Sequence, residues 1–236
     1  MKLIKAQGLY IFSFFLFFDA FIASYGFSKY RVYTLAVLIP ILILYFYTNS
    51  KRGKNKTSFK LVITSLVLAY FSDLFYLYNN FSLEKPSEFI FGLSQTALLI
   101  SYLVYGLIYN RMYAFKFKKA PEAFLISIVT VISSVLIYKV LNVVPLGIFK
   151  YGIVLGMILM IVVNALAANV LQDKVKKSMA LEHFVPGTIS LSLSLAITLV
   201  YKFLIPDVDF LPAIINLTFG FGQLLIVRGF VKYLKK

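Results

Sequence analysis

Two carboxylates in this chain sit where carboxylates are costly. Asp19 and Asp73 are the acids that fall inside long apolar runs. A charged side chain at the centre of a bilayer-spanning helix costs about 3 kcal/mol on insertion scales, so such a residue faces the bundle interior or a wet cavity and is a functional candidate. Two carboxyls can divide acid–base work: one delivers a proton, and the other stabilises the cation that forms. Neither helix core carries a Lys or Arg, so neither acid is expected to have a cationic partner. At a rise of about 1.5 Å per residue, Asp73 lies roughly 10 Å and Asp19 roughly 12 Å below the outer ends of their helices. Gln95, Thr198 and Asn216 reach a similar level on three other helices. Tyr70 and Tyr76 flank Asp73 at i−3 and i+3 and share its face. The expected site therefore has Asp73 and Asp19 as catalytic groups, with Tyr70, Tyr76, Gln95, Thr198 and Asn216 contacting substrate. It is a small polar pocket opening to the non-cytoplasmic side.

A plainer reading stands beside this one. Polar residues in membrane bundles often serve as interhelical hydrogen bonds of about 0.6 to 2 kcal/mol. The stripe Gly187, Ser190, Ser194, Thr198, Tyr201 follows helical spacing and reads as a close-packing face of small residues. Asn164 and Asn169 are expected to bond between helices. His183, next to Glu182 in a charged loop, reads as a solvated interface residue.

Other chemistries are excluded by composition. There is no cysteine, hence no disulfide and no thiolate, and the single histidine cannot build a histidine metal site. The chain has no Gly-rich phosphate loop, no HExxH, no GxSxG and no CxxC. No metal and no cofactor are expected.

The elements that must position these groups are membrane helices. Hydrophobic residues make up 61% of the chain and charged residues 14%, with a mean hydropathy of +0.87. That balance belongs to a membrane protein. Apolar runs near 8–27, 30–48, 59–79, 88–109, 122–141, 147–171, 185–205 and 211–231 give eight candidate spans of the required length. The first could pass for a signal peptide, but its length, Asp19 and the lack of a cleavage motif make it the first membrane helix. Pro186 marks the start of the seventh span, and Pro212 sits in the first turn of the eighth.

Charge sets the orientation. Eighteen of the 24 basic residues fall at the two ends and in the second, fourth and sixth connections, and six fall on the other side. By the positive-inside rule both termini are cytoplasmic. The net charge of +15 is thereby explained by topology and anionic lipid, with no nucleic-acid partner. The whole chain, 1–236, reads as one all-α transmembrane domain in the cytoplasmic membrane. Ser72-Asp73 precedes Phe81 at the spacing by which Ser194-Leu195 precedes Phe203. This echo suggests two parallel four-helix repeats, 1–118 and 119–236.

Ser72-Asp73 on the third helix, Phe89-Ile90-Phe91-Gly92-Leu93, and Gly187 leading to Ser194 and Phe203 resemble the YhhN family of membrane proteins, the lysoplasmalogenases. The likeness runs over roughly residues 30–232. The resemblance implies hydrolysis of the vinyl ether bond of lysoplasmalogens, with a membrane lipid as substrate. It carries Asp73 over as a catalytic residue. Where the family pattern has a second Ser-Asp, this chain has Leu195; a family histidine is replaced at Ile100 or Ser101, and a Lys-Pro by Leu35-Ala36. Asp19, at similar depth, is a candidate for the second carboxylate. Two further readings remain: a non-catalytic lipid-binding or sensing protein, and a small transporter with Asp73 as its ion site.

Overall fold

The structure, a computed structural model, describes residues 2–25, 30–50, 55–79, 87–115, 132, 135, 138, 139, 142, 149–205 and 208–235. The elements described are α1 (Lys2–Ser24), α2 (Arg31–Asn49), α3 (Lys56–Leu77), α4 (Glu88–Met112), α5 (Phe149–Asn169), a 3-10 turn (Val170–Gln172), α6 (Lys177–Met179), a π-helical turn (Ala180–Phe184), α7 (Val185–Phe203) and α8 (Leu211–Lys235). Among the described residues, seven segments are long and apolar enough to cross a membrane, α6 through α7 counting as one. The expected helix at 122–141 lies almost wholly outside the described residues. The positions of it that are described (132, 135, 138 and 139) are helical, and Tyr138 packs with Met157 and Leu199.

Local chemistry explains several of the boundaries. Asn55 caps α3, its side chain accepting the Ser58 N–H at 3.2 Å. Pro186 sits in the first turn of α7, where its missing N–H is no loss. Pro40 lies inside α2; a membrane helix tolerates it because packed neighbours hold the opened turn. Large aromatics such as Phe14, Phe17 and Tyr33 are exposed, as a lipid-facing surface requires.

The helices close into a ring. Each packs on the next in the order α1, α2, α3, α4, α5, α7, α8 and back to α1, and α8 also reaches α2 and α3. One end of the ring holds the start of α1 and the end of α8 (the terminal end). The other holds the end of α1 and the start of α2 (the polar end).

Two hairpins give the ring its register. Between α3 and α4, Ser65 Oγ donates to the Ser101 carbonyl at 2.9 Å, and Ser94 Oγ to the Ser72 carbonyl at 3.0 Å. Each helix thus presents serines two turns apart, and the pairs meet in antiparallel register. Between α7 and α8, Ser190 Oγ donates to the Thr218 carbonyl at 2.7 Å and Ser194 Oγ to the Ile215 carbonyl at 3.0 Å. One turn on, Gly187 and Gly222 let the two backbones approach: a Cβ on Gly222 would sit 2.9 Å from the Gly187 carbonyl oxygen. The small-residue stripe on α7 is therefore a packing face at Gly187, Ser190 and Ser194, as read from its spacing. Thr198 instead turns back onto its own helix, donating to the Ser194 carbonyl at 2.7 Å.

The interior of the terminal half is filled. Tyr105, Tyr109, Phe184 and Phe230 are fully buried, with ring centroids 5.0 to 5.9 Å apart. Tyr105 donates to Gln223 Oε1 at 2.7 Å, joining α4 to α8 through this plug. Asn164 bonds Ser192 at 2.7 Å and Asn169 the Tyr113 carbonyl at 3.1 Å, so both link separate elements as expected. His183 corrects its reading. It is buried, not solvated, because the π-helical turn rotates it inward against Gly229.

The glycine contact is testable. Gly222→Ala should lower the stability of the purified protein by about 1–3 kcal/mol, the usual penalty of overpacking. Gly152→Ala, where a Cβ meets nothing within 4 Å, should not. Thermal unfolding in detergent reads both.

Candidate functional site

Asp19, near the end of α1, lies against the first turn of α2. Asp19 is fully buried. Its Oδ1 accepts a hydrogen bond from Thr34 Oγ1, and its Oδ2 accepts one from Asn216 Nδ2 on α8. The Arg31 guanidinium lies 3.7 Å from Oδ2 and is itself only 6% exposed. Arg31 and Thr34 are three residues apart and share one face of α2, so a single helical turn supplies both a cation and a hydroxyl.

This overturns the expectation that neither acid has a cationic partner. Arg31 reads in the sequence as a charge on the outer side, next to the first connection. In the fold it is the first residue of α2 and turns inward, because Asp19 would otherwise be buried without a countercharge. The sequence signal was a basic residue at the start of an apolar run, one turn before a threonine and directly after the helix that carries an acid.

Asp73 has a different environment. It is half-buried on α3, and among the described residues it makes no hydrogen bond and no ion pair. The Asp73 and Asp19 carboxyls lie within electrostatic reach of each other. One turn on, Tyr76 lies near Arg31 and near Tyr201 of α7. Hydrogen bonds and the ion pair thus join Asp19, Arg31, Thr34 and Asn216, with Asp73, Tyr76 and Tyr201 nearby. Asp19 has its oxygens committed, whereas the Asp73 carboxyl has no hydrogen-bond partner among the described residues.

The other expected residues are placed less centrally. Tyr70 packs against the apolar core. Gln95 is half-buried on α4 with no hydrogen bond among the described residues. Thr198 bonds its own helix. One turn beyond these two, Lys202 stands over the Phe91 ring at 2.9 Å and links the ends of α7 and α4. Arg31, Thr34 and Tyr201 are the neighbours that the sequence reading did not assign to the site.

The serine before Asp73 has a mechanical role. Ser72 is pinned to Ser94, which fixes the rotation of α3 on α4 and hence the direction of the next side chain. The corresponding Ser194 is pinned to α8, and Leu195 after it packs on the core as an apolar residue. An apolar groove of about 440 Å³ runs beside the site between α1 and α2, lined by Phe15, Phe18, Phe21, Tyr30 and Tyr33. Thr34, the residue that bonds Asp19, also borders it. Among the described residues no group of three or more His, Asp or Glu could hold a metal ion.

Comparison with known proteins gives one match. The YhhN family matches residues 30–230, most of the chain, and the chain belongs to that family. No curated protein and no solved structure matches it.

The Asp19–Arg31 pair should behave as a coupled unit. Asp19→Leu leaves a buried guanidinium without a countercharge and should cost about 3–5 kcal/mol. Asp19→Leu combined with Arg31→Leu should cost less than Asp19→Leu alone. Additive losses in unfolding experiments on the single and double variants would show that the two side chains act independently.

Proposed function

For this member of the YhhN family we propose a hydrolase of the lysoplasmalogenase type, cleaving the vinyl ether bond of lysoplasmalogens or related ether lipids. The observation that carries the reading is the contrast between the two acids. Asp19 is held by Thr34, Asn216 and Arg31, while Asp73 beside it has a carboxyl with no partner among the described residues.

The chemistry follows from that contrast. The Asp73 carboxyl delivers its proton to the vinyl carbon remote from the ether oxygen. The carbon next to oxygen becomes an oxocarbenium ion, and the nearby acidic pair stabilises its charge. Water adds to that carbon, and its proton returns to Asp73. The hemiacetal so formed gives up its hydroxyl proton as its carbon–oxygen bond to the glycerol breaks and the glycerol oxygen takes up a proton, releasing an aldehyde and a glycerophospho-base. The groove between α1 and α2 suits the single hydrocarbon chain of such a substrate, and the polar end suits its wet end.

In this reading the bundle has eight spans, with both termini cytoplasmic and the site on the opposite side of the cytoplasmic membrane. Halves 1–118 and 119–236 are parallel repeats. The matched hairpins α3–α4 and α7–α8 support that pairing. The filled terminal half argues against a transport path through the ring. The apolar Leu195 favours a second reading, in which the same pocket binds a lipid without cleaving it.

Purified protein given a lysoplasmenyl lipid should release aldehyde, and Asp73→Asn should lower that rate by about 100-fold or more, the usual contribution of a positioned acid. Lipid retention without aldehyde release would replace the hydrolase by the binder. Topology has its own check, since the chain lacks cysteine. Single cysteines placed at Lys2 or Lys235 should react with a membrane-impermeant thiol reagent in inverted vesicles and stay protected in intact cells.

A further inference from the structure

The terminal end of the ring holds an anion position that the protein fills with its own carboxylate. Glu182 lies in the π-helical turn and Lys232 in the last turn of α8. Glu182 Oε2 accepts from Lys232 Nζ at 2.8 Å and stands 3.6 Å from Nε2 of His183. Arg228, one turn before Lys232 on the same face of α8, is within electrostatic reach of both Glu182 and His183. Arg228 is exposed, and among the described residues it makes no hydrogen bond and no ion pair. His183 is 4% exposed, and neither of its ring nitrogens has a hydrogen-bond partner among the described residues. An imidazole carries at least one N–H in every tautomer, so a buried donor stands unused beside the carboxylate. Buried donors are nearly always satisfied. Two cations and this donor thus gather about a single carboxylate, and the cluster is left with a positive excess.

The surroundings say what kind of anion. Glu182 and Lys232 are both about half-exposed, so a ligand has access to the position that Glu182 Oε2 occupies. Leu181, directly before Glu182, is 55% exposed, and Val175, in the connection that leads to α6, is 69% exposed. Large apolar side chains left open beside a basic cluster suit the lipid boundary, where tails cover the apolar groups and headgroups lie level with the cations. Phosphate accepts from ammonium, guanidinium and imidazole N–H alike, and it is the anion that phospholipid headgroups carry. We propose that this cluster is a binding site for the phosphate group of an anionic phospholipid, which displaces the Glu182 carboxylate and takes its place between Lys232, Arg228 and His183. Glu182 is the resident competitor at that position. The site lies at the far end of the ring from Asp19 and Asp73 and does not depend on what they do.

The experiment uses the full-length protein in a neutral maltoside detergent. Equilibrium binding is measured for three probes: a short-chain phosphatidylglycerol, the phosphatidylcholine with the same chains, and inorganic phosphate. The unaltered protein should prefer phosphatidylglycerol over phosphatidylcholine by about tenfold or more, since each basic group near a headgroup supplies about fivefold. Lys232→Gln should lower that preference by about fivefold. Lys174→Gln removes the same charge from an exposed position at the same end and should leave the preference unchanged. His183→Phe keeps a buried ring but removes the donor, and should weaken phosphatidylglycerol binding by about tenfold, the usual factor for a hydrogen bond to a charged group. Glu182→Gln removes the competitor and should strengthen that binding. Equal losses in Lys174→Gln and Lys232→Gln would show diffuse attraction and overturn the site. A folded His183→Phe that binds unchanged would make the imidazole mere packing and overturn it as well. If His183→Phe does not fold, Glu182→Gln decides, and affinity that stays the same or falls overturns the proposal. No preference in the unaltered protein does so outright. Inorganic phosphate binding as tightly as phosphatidylglycerol would overturn the lipid as the source of the anion.

Discussion

A carboxylate sealed away from water must be matched, and much of this bundle follows from how Asp19 is matched. Its partners come from α2 and α8 while it rides on α1, so one side chain holds three helices at one level. The match also fixes where α2 starts, because Arg31 and Thr34 must both face inward on the same turn. Burying an ion pair gives little net stability compared with apolar packing. Its effect is selective: rotations of α1, α2 or α8 that part these groups leave a charge in hydrocarbon. The polar end is thus held in one arrangement, and the α3 carboxyl beside it can stay unpaired.

The other helices are set by contacts of a different kind. Serine hydroxyls reach across to backbone carbonyls in both the α3–α4 and the α7–α8 hairpins. Such bonds need close backbones, and close backbones need small residues, which is why glycine and serine recur at these faces. Ser72 shows how packing and chemistry connect. It aligns α3 on α4, and Asp73 is the next residue along. A helix rotated by one residue would turn that carboxyl by about 100° away from its neighbours.

The fold was largely legible because its signal is additive. Each span is about twenty apolar residues long, and no single position decides it. The described helices begin and end within a few residues of the apolar runs, except that α1 and α8 continue past them at the terminal end. The site was legible only in part. Asp19, Asp73, Tyr76 and Asn216 stand out as polar groups in apolar surroundings, and the fold gathers them. Arg31 does not stand out, because a basic residue at the edge of a span is ordinary and its direction depends on one helical turn. His183 was misread for the same reason: its charged neighbours suggest solvent, yet the π-helical turn sends adjacent residues to opposite environments, Glu182 to Lys232 outside and His183 inward. Thr198 keeps its hydrogen bond within its own helix, a choice that sequence spacing does not reveal.

The aromatic plug at the terminal end has an electrical consequence. A membrane voltage falls mainly across the dry, low-dielectric part of a bundle. Here that part is the half filled by Tyr105, Tyr109, Phe184 and Phe230. Asp73 lies beyond it, toward the polar end. Moving one charge through the full field of 100 mV takes about 2.3 kcal/mol, and a proton that reaches Asp73 from the polar end does not cross the plug's share of that field. Proton exchange from the polar side should therefore depend less on the membrane voltage than exchange through the plug would.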